Sequence, residues 1–189
     1  MNPILKEIPY SFQKERLNIR GLLPEDGKKV HTAVSQSHEQ LKPWMPWAVN
    51  LPTVDEYEIL VREGQLKFLG REDFWLLIFL KESEILVGSS GLHRPNWSLP
   101  SFEIGYWLHK DHTGKGYITE AVAGICQFAF SQMQAERLLI RCDTRNHRSA
   151  AVAERCGFLL EGTHRHDSRD HLTNELRSTH YFSRLFSPE

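Results

Sequence analysis

The sequence predicts an α/β fold, of α/β or α+β class, in a single domain taken over residues 1–189. Three observations lead there. About seven stretches have strand character and about four have helical periodicity. Strands and helices alternate along the second half of the chain after a meander in the first. No internal repeat or low-complexity linker divides the 189 residues, and 40% hydrophobic with 25% charged residues is enough for one packed core.

The elements follow in chain order. Leu17 and Ile19 alternate with polar neighbours, so Arg16 to Arg20 reads as a short strand. Pro24, Glu25 and Asp26 suit the first turn of a helix running to about Gln40, because proline is preset for that turn and acids favour its positive end. Leu41 to Pro52 is an aromatic, proline-punctuated loop with Trp44, Met45, Pro46 and Trp47. A second helix covers Val54 to Phe68 and ends near Gly70. Phe74 to Leu80 and Glu84 to Leu92 are strands joined by the polar turn Lys81, Glu82, Ser83, and Ser101 to Leu108 is the next strand.

The strongest helix carries Ile118, Ala121, Val122, Ile125, Phe128, Ala129 and Met133 on one apolar face. Leu138 to Cys142 is a short buried strand. Asn146 is an N-cap for a helix that Gly157 ends. Phe158 to Glu161 begins a strand, His164 to His171 reads as a charged loop, and Leu176 to Leu185 gives the last strand.

Composition excludes several function classes. A formal net charge of −1 argues against a dedicated nucleic-acid binder. No stretch approaches the ~18 apolar residues of a membrane helix, and Met1 to Tyr10 lacks a signal-peptide pattern. Cys126, Cys142 and Cys156 are odd in number and widely spaced, which points to neither a disulfide framework nor a zinc site and fits a reducing cytoplasm. His164, His166 and His171 lack cysteine partners or a fixed helical spacing, and His109 and His112 read as surface residues, so no metal is expected.

The chemically informative stretch is Thr113-Gly114-Lys115-Gly116-Tyr117-Ile118-Thr119, between a strand and the long helix. Two glycines let backbone N–H groups curl around an anion, and the helix start adds unsatisfied donors and a partial positive charge. Lys115 adds a full charge. The stretch suits a pyrophosphate; the alternative is an ordinary glycine-containing loop. It is not a P-loop, because Lys-Ser/Thr does not follow Gly116, and not a dinucleotide fingerprint, because Thr119 stands where glycine or alanine is required.

Context adds a resemblance. Glu103-Ile104-Gly105-Tyr106-Trp107-Leu108, Gly114-Lys115-Gly116-Tyr117-Ile118-Thr119-Glu120-Ala121, Asn146-His147-Arg148-Ser149-Ala150, Cys156-Gly157-Phe158 and Glu161-Gly162 occur in an order that resembles the GNAT N-acetyltransferases. With Glu15-Arg16-Leu17 and the Trp44–Trp47 segment, the chain looks most like the branch of the ribosomal-protein N-terminal acetyltransferases RimJ and RimL, over about Arg16 to Tyr181. The resemblance implies a mixed, mostly antiparallel sheet with splayed central strands. It implies acetyl-coenzyme A as cosubstrate, a primary amine of a protein N-terminus or small molecule as acceptor, and a homodimer as a possible assembly.

It also implies residue roles. Backbone amides from Thr113 through Thr119 would hold the coenzyme pyrophosphate. Trp107, Leu108 and His109 would pair with the pantetheine arm as an added strand. Asn146 would contact the arm, and Ser149 would lie near the thioester sulfur and protonate the leaving thiolate. Two departures stand out: Thr113 replaces the usual Gln or Arg, and Ile118 the usual Gly or Ala. The reaction needs a base for the amine, for which Glu161 and Glu103 compete with a bound water. Trp44 and Trp47 either line the acceptor pocket or pack on the core. The rival to the enzyme is a non-catalytic module that binds or senses acetyl-coenzyme A.

Overall fold

The computed structural model describes residues 2–187; Met1, Pro188 and Glu189, at the ends of the expected domain, lie outside the described residues. The described part builds one eight-stranded sheet with four α-helices on its two faces. Strand β1 (Ser11–Gln13) leads to β2 (Leu17–Gly21), then helices α1 (Asp26–Leu41) and α2 (Val54–Gly70). The meander β3 (Phe74–Leu80), β4 (Leu86–Asn96) and β5 (Ser101–Leu108) follows. Helix α3 (Tyr117–Gln132), β6 (Arg137–Asp143), α4 (His147–Arg155), β7 (Leu159–Arg169) and β8 (Leu176–Leu185) complete the chain. The sheet order is β1-β2-β3-β4-β5-β6-β8-β7.

All neighbours are antiparallel except β5 and β6, which run parallel and pair only at Ser101–Arg137, Phe102–Leu138 and Glu103–Leu139. Beyond Glu103 the two strands part. β4 stays paired to β5 as far as Leu108, and β8 stays paired to β6 as far as Asp143, so the gap has two firm walls.

Strand alternation divides the core in two. Phe74, Leu76 and Ile78 of β3 join Phe102, Ile104, Val122, Ile125 and Leu138 in the layer beneath α3 and α4. Leu77 and Phe79 point the other way and meet Val30, Val34, Tyr57, Val61 and Trp107 beneath α1 and α2. This two-sided burial explains why β3 reads as an unbroken apolar run.

Three expectations are corrected. The strand count is eight, not about seven, because the three-residue β1 carries too little pattern to register. Helix α1 begins at Asp26, not at Pro24: Glu25 caps it with φ 75°, and the Glu58 carboxylate of α2 accepts from the N–H groups of Glu25 and Gly27 at 3.0 and 3.1 Å. The segment read as a charged loop is mostly strand, since β7 continues through His164 to Arg169 before Asp170 turns the chain by accepting from Leu172 and Thr173 N–H at 2.9 and 3.1 Å. Nearly every β7 side chain is exposed, so no hydrophobic alternation marks it in the sequence.

Candidate active site

The glycine-rich stretch opens α3 as expected. Gly114 and Gly116 adopt φ values of 75° and 79°, in the left-handed region that favours glycine, and Gly116 is the N-cap of α3. Glu120 N–H to Gly116 O, 3.0 Å, begins the helical ladder, which leaves the amides of Tyr117, Ile118 and Thr119 as unpaired first-turn donors. A Cβ on Gly114 would meet nothing within 4 Å, so the space beside it is open.

The cation at this loop is not only Lys115. The Lys115 ammonium donates to Asp111 O at 2.9 Å, back toward its own turn. Arg16, at the start of β2, donates from Nη1 to Lys115 O at 3.0 Å, pairs with Glu120 at 2.7 Å and lies 4.7 Å from the Tyr117 ring centre. The sequence marks Arg16 only as the start of a strand and as part of the resemblance, because its 99-residue separation from Lys115 hides the proximity.

The edge of β5 left bare by the gap belongs to alternate residues. His109 N–H donates to Val87 O at 2.7 Å, so the backbone groups of His109, Trp107 and Gly105 face β4. Those of Tyr106 and Leu108 therefore face the gap. Of the three positions expected to pair with a coenzyme arm, only Leu108 has its N–H and C=O turned there; Tyr106 joins it. His109 is also not a surface residue: it is 6% exposed and its Nε2 is 2.8 Å from Gln36.

Across the gap, Asn146 caps α4, its side-chain oxygen accepting from Ser149 N–H at 3.1 Å. The cap sets the first turn so that Ser149 meets Tyr106. The Tyr106 hydroxyl donates to Ser149 O at 2.9 Å and lies 3.0 Å from Ser149 Oγ. Burial pushes the Tyr106 phenol well above its ordinary value, so it remains protonated, and burial likewise raises the Cys142 thiol beside Ser149.

On the α1–α2 face a cleft of about 1030 Å³ reaches the same gap. Trp44 and Trp47 form one wall, with Trp47 6.3 Å from the Trp107 ring. Glu103, Gly105 and Trp107 of β5 form the floor, and Tyr181 of β8 the far side. Both tryptophans thus face the open cleft.

The two carboxylates singled out as bases are separated. Glu103 lines the cleft, its oxygens taken by Arg94 and by Arg141, the latter at 3.0 Å. Glu161 is absent from the cleft lining. It sits at the β7 bulge, 44% exposed and doubly bonded to Arg137, which draws its carboxyl down to about 2. The sequence reading missed His93, which also lines the cleft and whose Nδ1 is 2.7 Å from Asp73 Oδ1. Among the described residues, no group of three or more His, Cys, Asp or Glu side chains is arranged to hold a metal, and no helix is long and apolar enough to cross a membrane.

Comparison with known proteins agrees with this geometry. The acetyltransferase (GNAT) domain family matches residues 16–159. YdaF of Bacillus subtilis, whose name assigns it provisionally to the ribosomal N-acetyltransferases, is 31% identical over 149 residues, covering 78% of this chain and 80% of its own. The ribosomal-protein-serine acetyltransferase of Escherichia coli is 31% identical over 124 residues, covering 64% and 69%. Among solved structures, RimL, the ribosomal L7/L12 alpha-N-protein acetyltransferase in complex with coenzyme A, superimposes with a TM-score of 0.85 at 21% identity, covering 95% of this chain and 97% of that one. The microcin C7 self-immunity acetyltransferase MccE, in complex with acetyl-CoA and AMP, gives 0.83 at 20% identity over 92% and 94%.

Proposed function

The chain belongs to the GNAT acetyltransferase family as an acetyl-coenzyme A-dependent N-acetyltransferase, and we propose that its acceptor is the α-amino group of a protein N-terminus. The parting of β5 and β6 beyond Glu103 carries this reading. It joins an anion-binding helix start to an open cleft on the opposite face of the sheet. A cosubstrate threaded through the gap meets an acceptor entering from the cleft.

In this reading the coenzyme pyrophosphate rests on the amides of Gly114 through Thr119, with Arg16 supplying the nearby charge. The pantetheine arm pairs with the free groups of Tyr106 and Leu108, as a strand added to an exposed edge. Asn146 and Ser149 flank the arm from α4. The Tyr106 or Leu108 N–H is the donor available to the thioester oxygen as it gains charge. Ser149, with the protonated Tyr106 hydroxyl 3.0 Å away, donates to the departing thiolate.

The acceptor follows from the cleft and from two relatives' names. About 1030 Å³ walled by Trp44 and Trp47 and bordered by β7 and β8 accommodates an extended chain end. YdaF and the Escherichia coli enzyme are both named for ribosomal proteins. The test is incubation with acetyl-coenzyme A and peptides copying ribosomal-protein N-termini, with the modified nitrogen mapped by mass spectrometry. Acetyl on the α-nitrogen is the expected result. Turnover only on polyamines or lysine side chains would reassign the acceptor.

A further inference from the structure

We propose that His93, held by Asp73, is the base that removes the proton from the acceptor ammonium; this rests on the acetyl-transfer reading above. His93 on β4 stands directly opposite Glu103 on β5, and cross-strand partners share a face. That face is the cleft floor. The position is two register pairs from Gly105, at the last residue pair before β5 parts from β6.

Glycine at two positions makes room for the ring. A Cβ on Gly91 would come within 2.6 Å of His93 Cε1 and Nε2, and one on Gly105 would lie 3.6 Å from Nε2. The imidazole therefore lies across the strands with Nε2 toward the mouth of the gap. The 2.7 Å contact to Asp73 assigns the neutral ring's proton to Nδ1, because the carboxylate accepts it. The lone pair is then on Nε2, which has no hydrogen-bond partner among the described residues. The side chain is 34% exposed, so an incoming amine reaches it.

The other ionisable groups around the cleft are occupied or unsuited. Glu103 is bound by Arg94 and Arg141. Asp167, from β7, accepts from the Thr179 hydroxyl at 2.9 Å. The phenols of Tyr57 from α2 and Tyr106 from β5 are both raised by burial and are poor acceptors.

The proton balance is complete. The ammonium gives one proton to Nε2, forming an imidazolium that Asp73 stabilises, and the imidazolium later releases it to water. The nitrogen lone pair forms the C–N bond, and the C–S bond breaks with its electron pair on sulfur. The second nitrogen proton reaches sulfur through the Ser149 and Tyr106 hydroxyls. The products are the amide, coenzyme A thiol and one proton.

The test is the pH dependence of kcat/KM, using acetyl-coenzyme A and a short peptide with an N-terminal serine, with coenzyme affinity measured separately by calorimetry. Wild type should show an acidic limb in its pH profile. His93→Gln should lose that limb and ~100- to 10,000-fold in rate, with coenzyme affinity unchanged. His93→Ala should regain part of the rate when imidazole is added. Asp73→Asn should move the limb to lower pH, because an imidazolium without its carboxylate loses its proton more readily, and Asp73→Glu should restore it. A merely structural role for Asp73 would lower thermal stability without moving the limb. If His93→Gln keeps the wild-type limb and rate, or if Glu103→Gln removes the limb instead, the assignment to His93 is overturned while acetyl transfer stands. If wild-type protein neither binds the coenzyme nor turns over, both readings fall together.

Discussion

The helix cap places the Ser149 backbone, and the Tyr106 hydroxyl 3.0 Å away gives its Oγ a hydrogen-bond partner. A donor placed in this way matters in the step where sulfur leaves and little in coenzyme binding. Ser149→Ala is therefore expected to lower kcat by ~10- to 1000-fold while the calorimetric affinity for acetyl-coenzyme A stays nearly unchanged. Equal loss of affinity would make Ser149 a binding group. Glu161 belongs to a different ledger. Its carboxyl is drawn down to about 2 by Arg137, below its value in an unfolded chain. A depressed carboxylate contributes stability above the unfolded value, near ~4.3, and loses it as pH falls toward the folded one. Because the pair is largely exposed, the contribution is under ~1 kcal/mol. Thermal melts of Glu161→Gln and wild type should differ slightly at pH 6 and converge near pH 2; convergence at high pH would reverse the sign.

At the scale of elements, the proposed anion site is the turn from β5 into α3, and its donors are backbone groups. Substituting the side chains around it should thus weaken coenzyme binding by degrees. Lys115→Ala should have a mild effect, because its ammonium bonds to Asp111 O within its own turn. Arg16→Ala should have the larger effect, because Arg16 braces Lys115 O, Glu120 and the Tyr117 ring together. Calorimetric dissociation constants in the opposite order would mean that Lys115 swings onto the phosphates. The turn itself was legible in the sequence, because two glycines ahead of an apolar helix suit left-handed backbone at a helix start. Arg16's role was not, because nothing local links it to residues 99 positions away. The β7 segment misled for a physical reason: a strand exposed on both faces has no hydrophobic alternation to read. Trp107 and His109 misled differently. The pleat turns their backbone groups toward β4, and sequence alone does not give that phase.

For the whole molecule, the architecture was largely readable: the meander, the long apolar helix and the Asn146 cap each fall at their expected places. What pairing adds is the gap. Parallel β5–β6 contact stops after three residue pairs, while α3 and α4 present their N-termini around the opening. The cleft chemistry was less legible, because His93 and Asp73 come together from β4 and the residues before β3, 20 positions apart, with no motif joining them. In the proposed mode, acetyl-coenzyme A occupies this gap with its pyrophosphate on the start of α3. Isothermal titration of acetyl-coenzyme A into wild type and Gly116→Glu tests it most directly. At Gly116 the φ of 79° strains any side chain, and glutamate adds a negative charge beside the phosphates. The expected results are one molecule bound per chain by the wild type, a gain of ~2.7 kcal/mol in stability at a hundredfold excess over the dissociation constant, and no binding by a folded Gly116→Glu. Failure of the wild type to bind at millimolar coenzyme, or equal binding by the variant, would contradict it.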